Sequence, residues 1–203
     1  MNNETENEII TAETDSEKKP HSIIEDVYEL VEMLAIVTTI VMVCFAFIVR
    51  LNIVQGDSMV DTLHHGDALA VTDLFYEPKA GDIVIVHSID ADPYGDPIVK
   101  RVIATENQVV DIDFDTWTLT VDGKVVNEPY RYLSNDPLIT ADYDFPITVP
   151  EGEIFVLGDN RNGSADSRQI EIGTIDVRCV VGKALAKLYP FSDTTVFSDP
   201  YTE

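Results

Sequence analysis

The order of apolar and polar positions divides the chain into three stretches of different character. Residues 33–49, MLAIVTTIVMVCFAFIV, carry no charge, and with Leu30 and Val31 across Glu32 the stretch reaches 20 residues. That is about the length a helix needs to cross the hydrocarbon core of a bilayer. An apolar run without a polar stripe does not suit a globular surface, so a membrane span over 29–50 is predicted. The preceding residues, 1–28, are polar and acidic, and a disordered tail is expected there. They lack the basic start of a signal peptide, and the apolar run begins too late for a cleavable one. Lys18 and Lys19 precede the span and Arg50 follows it, which favours an N-terminus in the cytoplasm.

Beyond the span the pattern alternates. Strands are predicted over 68–75, 82–87, 98–105, 108–112, 117–121, 125–127, 153–157 and 177–188. Asp122-Gly123 is a two-residue hairpin signal between the fifth and sixth. Pro93, Gly95 and Pro97 mark a loop, as does 129–146, which is rich in Asp, Pro and Tyr. There is no internal repeat and no long amphipathic helix. Residues 51–203 are therefore expected to form a mainly β domain of short antiparallel strands, a sandwich or barrel, lying outside the cytoplasm. A remainder of about 150 residues buries a sufficient core without disulfides or metals.

Charge narrows the partners. A net charge of −24 leaves no basic face for nucleic acid and none for docking to anionic lipid, so attachment to a bilayer must be hydrophobic. Cys44 lies in the apolar segment and Cys179 near the end of the β part, which makes a disulfide or a metal site from them improbable.

Three stretches hold candidate chemistry. Gln55 to Val71, QGDSMVDTLHHGDALAV, places Ser58 in a Gly-Asp turn that leads to a strand. Most serines in such turns only bond neighbouring backbone. In Ile98-Val99-Lys100-Arg101-Val102-Ile103, strand alternation sets Lys100 beside Ile98 and Val102. Burial there would lower its pKa and make it a base near neutral pH, while the plainer reading is a lysine snorkelling to the sheet edge. The third stretch, LGDNRNGSADSR over 157–168, reads either as a source of orienting hydrogen bonds or as a solvated loop. On the second reading Asp166 and Arg168 make a surface ion pair of little value. His21 precedes the span; His64, His65 and His87 remain possible bases of a Ser-His-Asp triad. The adjacent His64 and His65 have no third metal ligand at helpful spacing and are read as turn residues.

Together these stretches resemble the boxes of the bacterial type I signal peptidases, membrane-anchored serine proteases. The resemblance lies in GDSM and TLHHGD, YEPKAGDIVIV at 76–86, VKRVIA at 99–104, GDNRNGSADSR at 158–168 and GKALAKLYP at 182–190, in the family's order after one span. It implies Ser58 as nucleophile and Lys100 as its general base, with Ser164 bonding the lysine. It further implies Asp159 paired with Arg101 and Asp166 with Arg168 as supports, and the Ser58 amide as oxyanion donor. Val54, Leu63 and Val99 match positions lining shallow apolar pockets, which admit small residues in the Ala-x-Ala manner. An extended substrate is expected to add a strand beside 82–86. The implied partners are precursors bearing signal peptides and the lipid bilayer, with no cofactor and no metal. The family usually has proline at the position of Asp61 and Gly-Asp where Glu106-Asn107 stands, and some members have a serine where this chain has Gly56. Two other readings remain: a self-cleaving Ser-Lys repressor-type protease, and a membrane-tethered β domain that binds a partner without catalysis.

Overall fold

The structure is a computed structural model describing residues 23–87, 97–134 and 140–201. Most of the expected tail, the Pro93 and Gly95 loop and residues 135–139 lie outside the described residues. The chain forms two units, 1–43 and 44–203.

Helix α1 (Ile23–Phe47) begins before the expected position 29, with Glu25 and Asp26 in its first turn. Acidic side chains there face the positive end of the helix dipole and extend the helix toward the N-terminus. It stops short of residue 50 because Arg50 already belongs to a strand. Its stretch Ile23–Phe45 is long and apolar enough to cross a membrane, and none of it is buried.

Among the described residues the second unit has twelve strands in two antiparallel sheets. The larger sheet uses β1 (Arg50–Ile53), β2 (Ala68–Thr72), β3 (Ile83–Val86), β4 (Ile98–Thr105), β9 (Glu153–Leu157), β10 (Ile175–Asp176), β11 (Val180–Tyr189) and β12 (Thr195–Val196). Their order is β1-β2-β11-β3-β4-β9-β10, with β12 on β11. The smaller sheet, in the order β7-β6-β5-β8, uses β5 (Val109–Asp113), β6 (Thr118–Val121), β7 (Lys124–Val125) and β8 (Ile147–Thr148).

Mainly β architecture matches the expectation, with differences at the edges. The first predicted strand stops at Thr72, and the last is preceded by a 3₁₀ turn, Val177–Cys179, which Asp176 caps. Strands β1, β8, β10 and β12 were not predicted, because two to four residues are too few to show a period. Asp122 and Gly123 both take positive φ, 50° and 73°, and turn β6 into β7.

Three apolar clusters hold these sheets. One gathers Val54, Met59, Leu63, Ile83, Ile85 and Val99, and a second gathers Val84, Val86, Val102, Ile154 and Val156. The two draw on alternate residues of β3, as expected for a strand buried on both faces. The third joins Ile103, Phe155 and Leu157 of the larger sheet to Val110, Ile112 and Leu119 of the smaller. Ser58 and Lys100 lie beside the first two clusters in sequence, one on the loop after β1 and the other on β4.

Candidate active site

The loop from Val54 to Asp67 is closed at its base by backbone bonds. Val54 N donates to Asp67 O at 2.8 Å and Gly66 N to Val54 O at 2.9 Å. Val54, Met59 and Leu63 anchor it in the core, so the polar turn at Asp57 and Ser58 is held outward. Asn160 clamps that turn, donating from its backbone N to Ser58 O at 3.0 Å and from Nδ2 to Asp57 O at 3.1 Å. Within the turn the Val60–Asp61 peptide is cis, at the point where the family usually has proline.

Lys100 is buried, and its Nζ lies 2.9 Å from Ser58 Oγ. Burial pushes the amine down from 10.5 to about 8; Asp166 and Asp159 favour the ammonium and Arg168 opposes it. An amine with that value is partly neutral near physiological pH and has room to accept the serine proton. The snorkelling reading of Lys100 is overturned, since the residue is only 3% exposed and its amine turns to Ser58 rather than to the sheet edge.

Behind Ser58 and Lys100 stand two buried ion pairs. Arg101 donates to Asp159 from Nε at 2.9 Å and from the terminal nitrogen at 2.7 Å. Asp159 also accepts from Thr62 Oγ1 at 2.6 Å, which ties the strand after Lys100 to the loop after Ser58. Burial works against the Arg101 cation, but the Asp159 carboxylate outweighs it and raises the pKa. Arg168 Nε meets Asp166 at 2.8 Å, and both are wholly buried, not at the surface. Burial pushes the Asp166 carboxyl up, yet Arg168 and the Gly158 N–H outweigh it and hold the group low.

Ser164 stands near the dyad without bonding it. Its Oγ donates to Ala165 O at 3.4 Å rather than to the Lys100 amine. A Cβ on Gly158 would fall 2.2 Å from Ser164 Oγ and 2.5 Å from Ser58 O, so only glycine lets these groups approach. Val54, Leu63 and Val99 come together in one buried cluster with Met59. His64, His65 and His87 are exposed, and none bonds Ser58; His65 Nδ1 accepts from Gly56 N at 3.2 Å. Asn107 takes φ 64°, a conformation asparagine tolerates better than most residues, and Glu106 accepts from Gly152 N at 2.7 Å.

Three groups in this region were not foreseen. Glu128 forms a buried pair with Arg161, whose Nε also holds Gly158 O at 3.0 Å. Lys187, buried on β11, bonds Asp193 at 2.5 Å and lies 3.6 Å from Asp67 at the foot of the loop that carries Ser58. Its signal was a cation among apolar residues of a predicted strand, as at Lys100. The expected substrate strand beside 82–86 is excluded, because β3 is paired on one edge by β11 and on the other by β4. A cavity of about 480 Å³ lined by Asp73, Tyr76, Glu106 and Arg178 includes neither dyad residue. Among the described residues no cluster of three His, Cys, Asp or Glu is placed to hold a metal ion.

Residues 27–189, which contain Ser58, Lys100 and the two ion pairs behind them, match the family of signal peptidases, peptidase S26. The chain belongs to that family. Signal peptidase I of Bacillus licheniformis is 35% identical over 193 residues, covering 91% of this chain and 97% of that protein. Signal peptidase IB of Staphylococcus aureus (strain COL) is 33% identical over 186 residues, covering 83% and 93%. A crystal structure of a signal peptidase I from Enterococcus faecalis V583 covers 53% of this chain and 97% of that one, at 31% identity and a TM-score of 0.43. Membership of peptidase S26 makes the chain a serine-type peptidase, and its N-terminal apolar helix fits a membrane-anchored one.

Proposed function

We propose that the chain is a signal peptidase I that removes signal peptides from exported precursors, with Ser58 as nucleophile and Lys100 as general base. The observation that carries this reading is the 2.9 Å contact between a buried lysine amine and Ser58 Oγ. In the forward step neutral Lys100 takes the proton from Oγ as Oγ attacks the scissile carbonyl. The Ser58 N–H makes no hydrogen bond among the described residues and is available to the developing oxyanion. The ammonium then protonates the departing amine, leaving an acyl-serine. Lys100, neutral again, activates the water that releases the signal peptide.

Among the described residues, the start of β4 offers an extended substrate an unpaired edge. Residues 98–100 of β4 pair with β3 on one side, whereas β9 pairs with β4 only from Arg101 onward. A substrate strand along that edge would run past Val99, which packs with Val54 and Leu63, and bulky side chains pressed against that packed cluster would be rejected by overpacking. Ala-x-Ala is then favoured over Leu-x-Leu.

Helix α1 serves as the membrane anchor, with the residues before it on the cytoplasmic side and the β unit outside. Nine residue steps separate Val49 from Ser58, at most roughly 30 Å of chain, which keeps the site near the bilayer surface. The test is cleavage of a secretory precursor by the purified full chain in detergent. Wild type should cut after Ala-x-Ala, and Ser58→Ala and Lys100→Ala should each lose at least about a thousandfold in kcat while staying folded. Undiminished cleavage by Ser58→Ala would remove the proposed nucleophile. A flexible insert between Val49 and Arg50 should spare a short soluble peptide but slow membrane-bound precursor; equal rates on both would remove height from the mechanism.

A further inference from the structure

A short segment near the C-terminus, Asp199 to Tyr201, lies against the strand pair that carries Lys100. A Cβ on Gly81 would stand 2.7 Å from Pro200 Cδ and 3.1 Å from a Tyr201 ring carbon, so the segment touches bare backbone there. The Tyr201 hydroxyl meets the Tyr130 hydroxyl at 2.6 Å, and the two rings contact edge to face with centroids 6.4 Å apart. The Arg101 guanidinium covers the Tyr130 ring at 3.8 Å. Arg101 also donates to Gly81 O at 2.9 Å, which closes a ring of contacts back to the glycine under Pro200. Burial raises the pKa of both phenols, so they stay neutral at working pH and their mutual bond persists.

Arg101 is where this ring meets the dyad. It follows Lys100 directly on β4, and it grips Asp159, which accepts the Thr62 hydroxyl four residues after Ser58. With the Tyr130 ring displaced, one face of the guanidinium opens to water, and screening weakens the pair with Asp159. The spacing between strand and nucleophile loop then relaxes. Proton transfer is sensitive to such spacing, since the base must stay within hydrogen-bond reach of the hydroxyl.

We propose that Tyr201 is a positioning residue for catalysis: by seating Tyr130 under Arg101 it fixes the Arg101–Asp159 link that holds Lys100 to Ser58. This rests on the Ser58 and Lys100 roles given above. It adds that a segment remote in sequence sets how well they work, without touching substrate.

The test compares wild type, Tyr201→Phe, Tyr201→Ala, Tyr130→Phe and the double Tyr130→Phe/Tyr201→Phe in the full chain. On precursor, Tyr201→Ala should lower kcat about tenfold with KM within about twofold, and Tyr201→Phe should fall between it and wild type. The double variant should be no worse than the poorer single, as for two groups acting through one bond. Admitted water reduces the burial that lowers the Lys100 value, so the acid limb of kcat/KM should move to higher pH in Tyr201→Ala. The charged groups acting on Lys100 are Asp166, Asp159 and Arg168, and none is altered. A second readout needs no substrate: titration of the Lys100 Nζ by NMR of lysine-labelled full chain in micelles should show the same displacement. A lower Tm for Tyr201→Ala with unchanged kcat and an unchanged Lys100 midpoint would overturn the positioning role. Cleavage that survives Ser58→Ala would instead count against the dyad, whatever the tyrosine variants do to the lysine midpoint.

Discussion

Asp166 and Arg168 form an Asp-x-Arg pair in the loop after β9, and Asp176 and Arg178 form another just before β11. The two are alike in spacing and in contact, 2.8 Å for the first and 2.5 Å for the second. Their surroundings differ completely. The side chains of the first are 0% exposed, while those of Asp176 and Arg178 are 34% and 87% exposed. Buried charges lose their hydration and must be matched by partners on every side, which Asp166 achieves through Arg168 and the Gly158 N–H. Arg168 in turn holds Arg161 O at 2.9 Å. The outer pair has water as an alternative partner, and beyond the Arg178 guanidinium Asp176 holds, among the described residues, only the Arg178 N–H at the start of the 3₁₀ turn. The same two side chains thus make a framework in one place and surface decoration in the other.

The largest difference should appear when each carboxylate is removed. Asp166→Ala leaves Arg168 buried and unmatched, and a loss on the order of 3–5 kcal/mol is expected for breaking such a pair. Activity should fall with it, since Asp166 faces Lys100 as well. Denaturant midpoints and kcat measured on one preparation check both.

Lys100 sharpens the comparison, being a buried cation held without a carboxylate of its own. Its pKa falls from 10.5 unfolded to about 8 folded, so between those values the unfolded chain binds more protons. Stability should therefore rise with pH across that window, and the burial penalty is fully present below about pH 8. At about 1.4 kcal/mol per pH unit this is on the order of 3 kcal/mol. Lys100→Met should be more stable than wild type at pH 7, with the gap closing toward pH 10.5. Equal stability of the two proteins across the range would contradict the burial of a charged lysine.

The smallest effect is expected at the outer pair. Asp176→Ala should leave kcat within error and lower Tm far less than Asp166→Ala does, in low salt and high salt alike. A clear loss would show that this pair, despite its exposure, fixes the turn into β11.

Much of the fold was legible because alternation is strong where strands are long. The eight residues of β4 and the Asp122-Gly123 hairpin stood out, while β10 and β12, two residues each, carry no period to read. The helix start at Ile23 was missed because helix formation does not stop where apolar character does. Ser58 and Lys100 were singled out from short motifs, but neither their separation nor the burial of Asp166 could be read. Those depend on packing between β4 and the loop after β9. The supports Thr62, Glu128, Lys187 and Tyr130 are scattered along the chain and meet only through the sheet order. The substrate edge was misassigned for the same reason: strand 82–86 is legible as a strand, but its central place in the sheet is not.

The most direct test of Lys100 as the base is a kcat/KM profile against pH for wild type and for His64→Ala, His65→Ala and His87→Ala, with Lys100→Ala as reference. The acid limb should fall near pH 8, the value set by burial of the lysine, and should stay there in all three histidine variants. Lys100→Ala should show no turnover at any pH while remaining folded. If one histidine substitution abolished activity as completely as Lys100→Ala without unfolding the chain, a histidine would be the base and the Ser58–Lys100 assignment would be wrong.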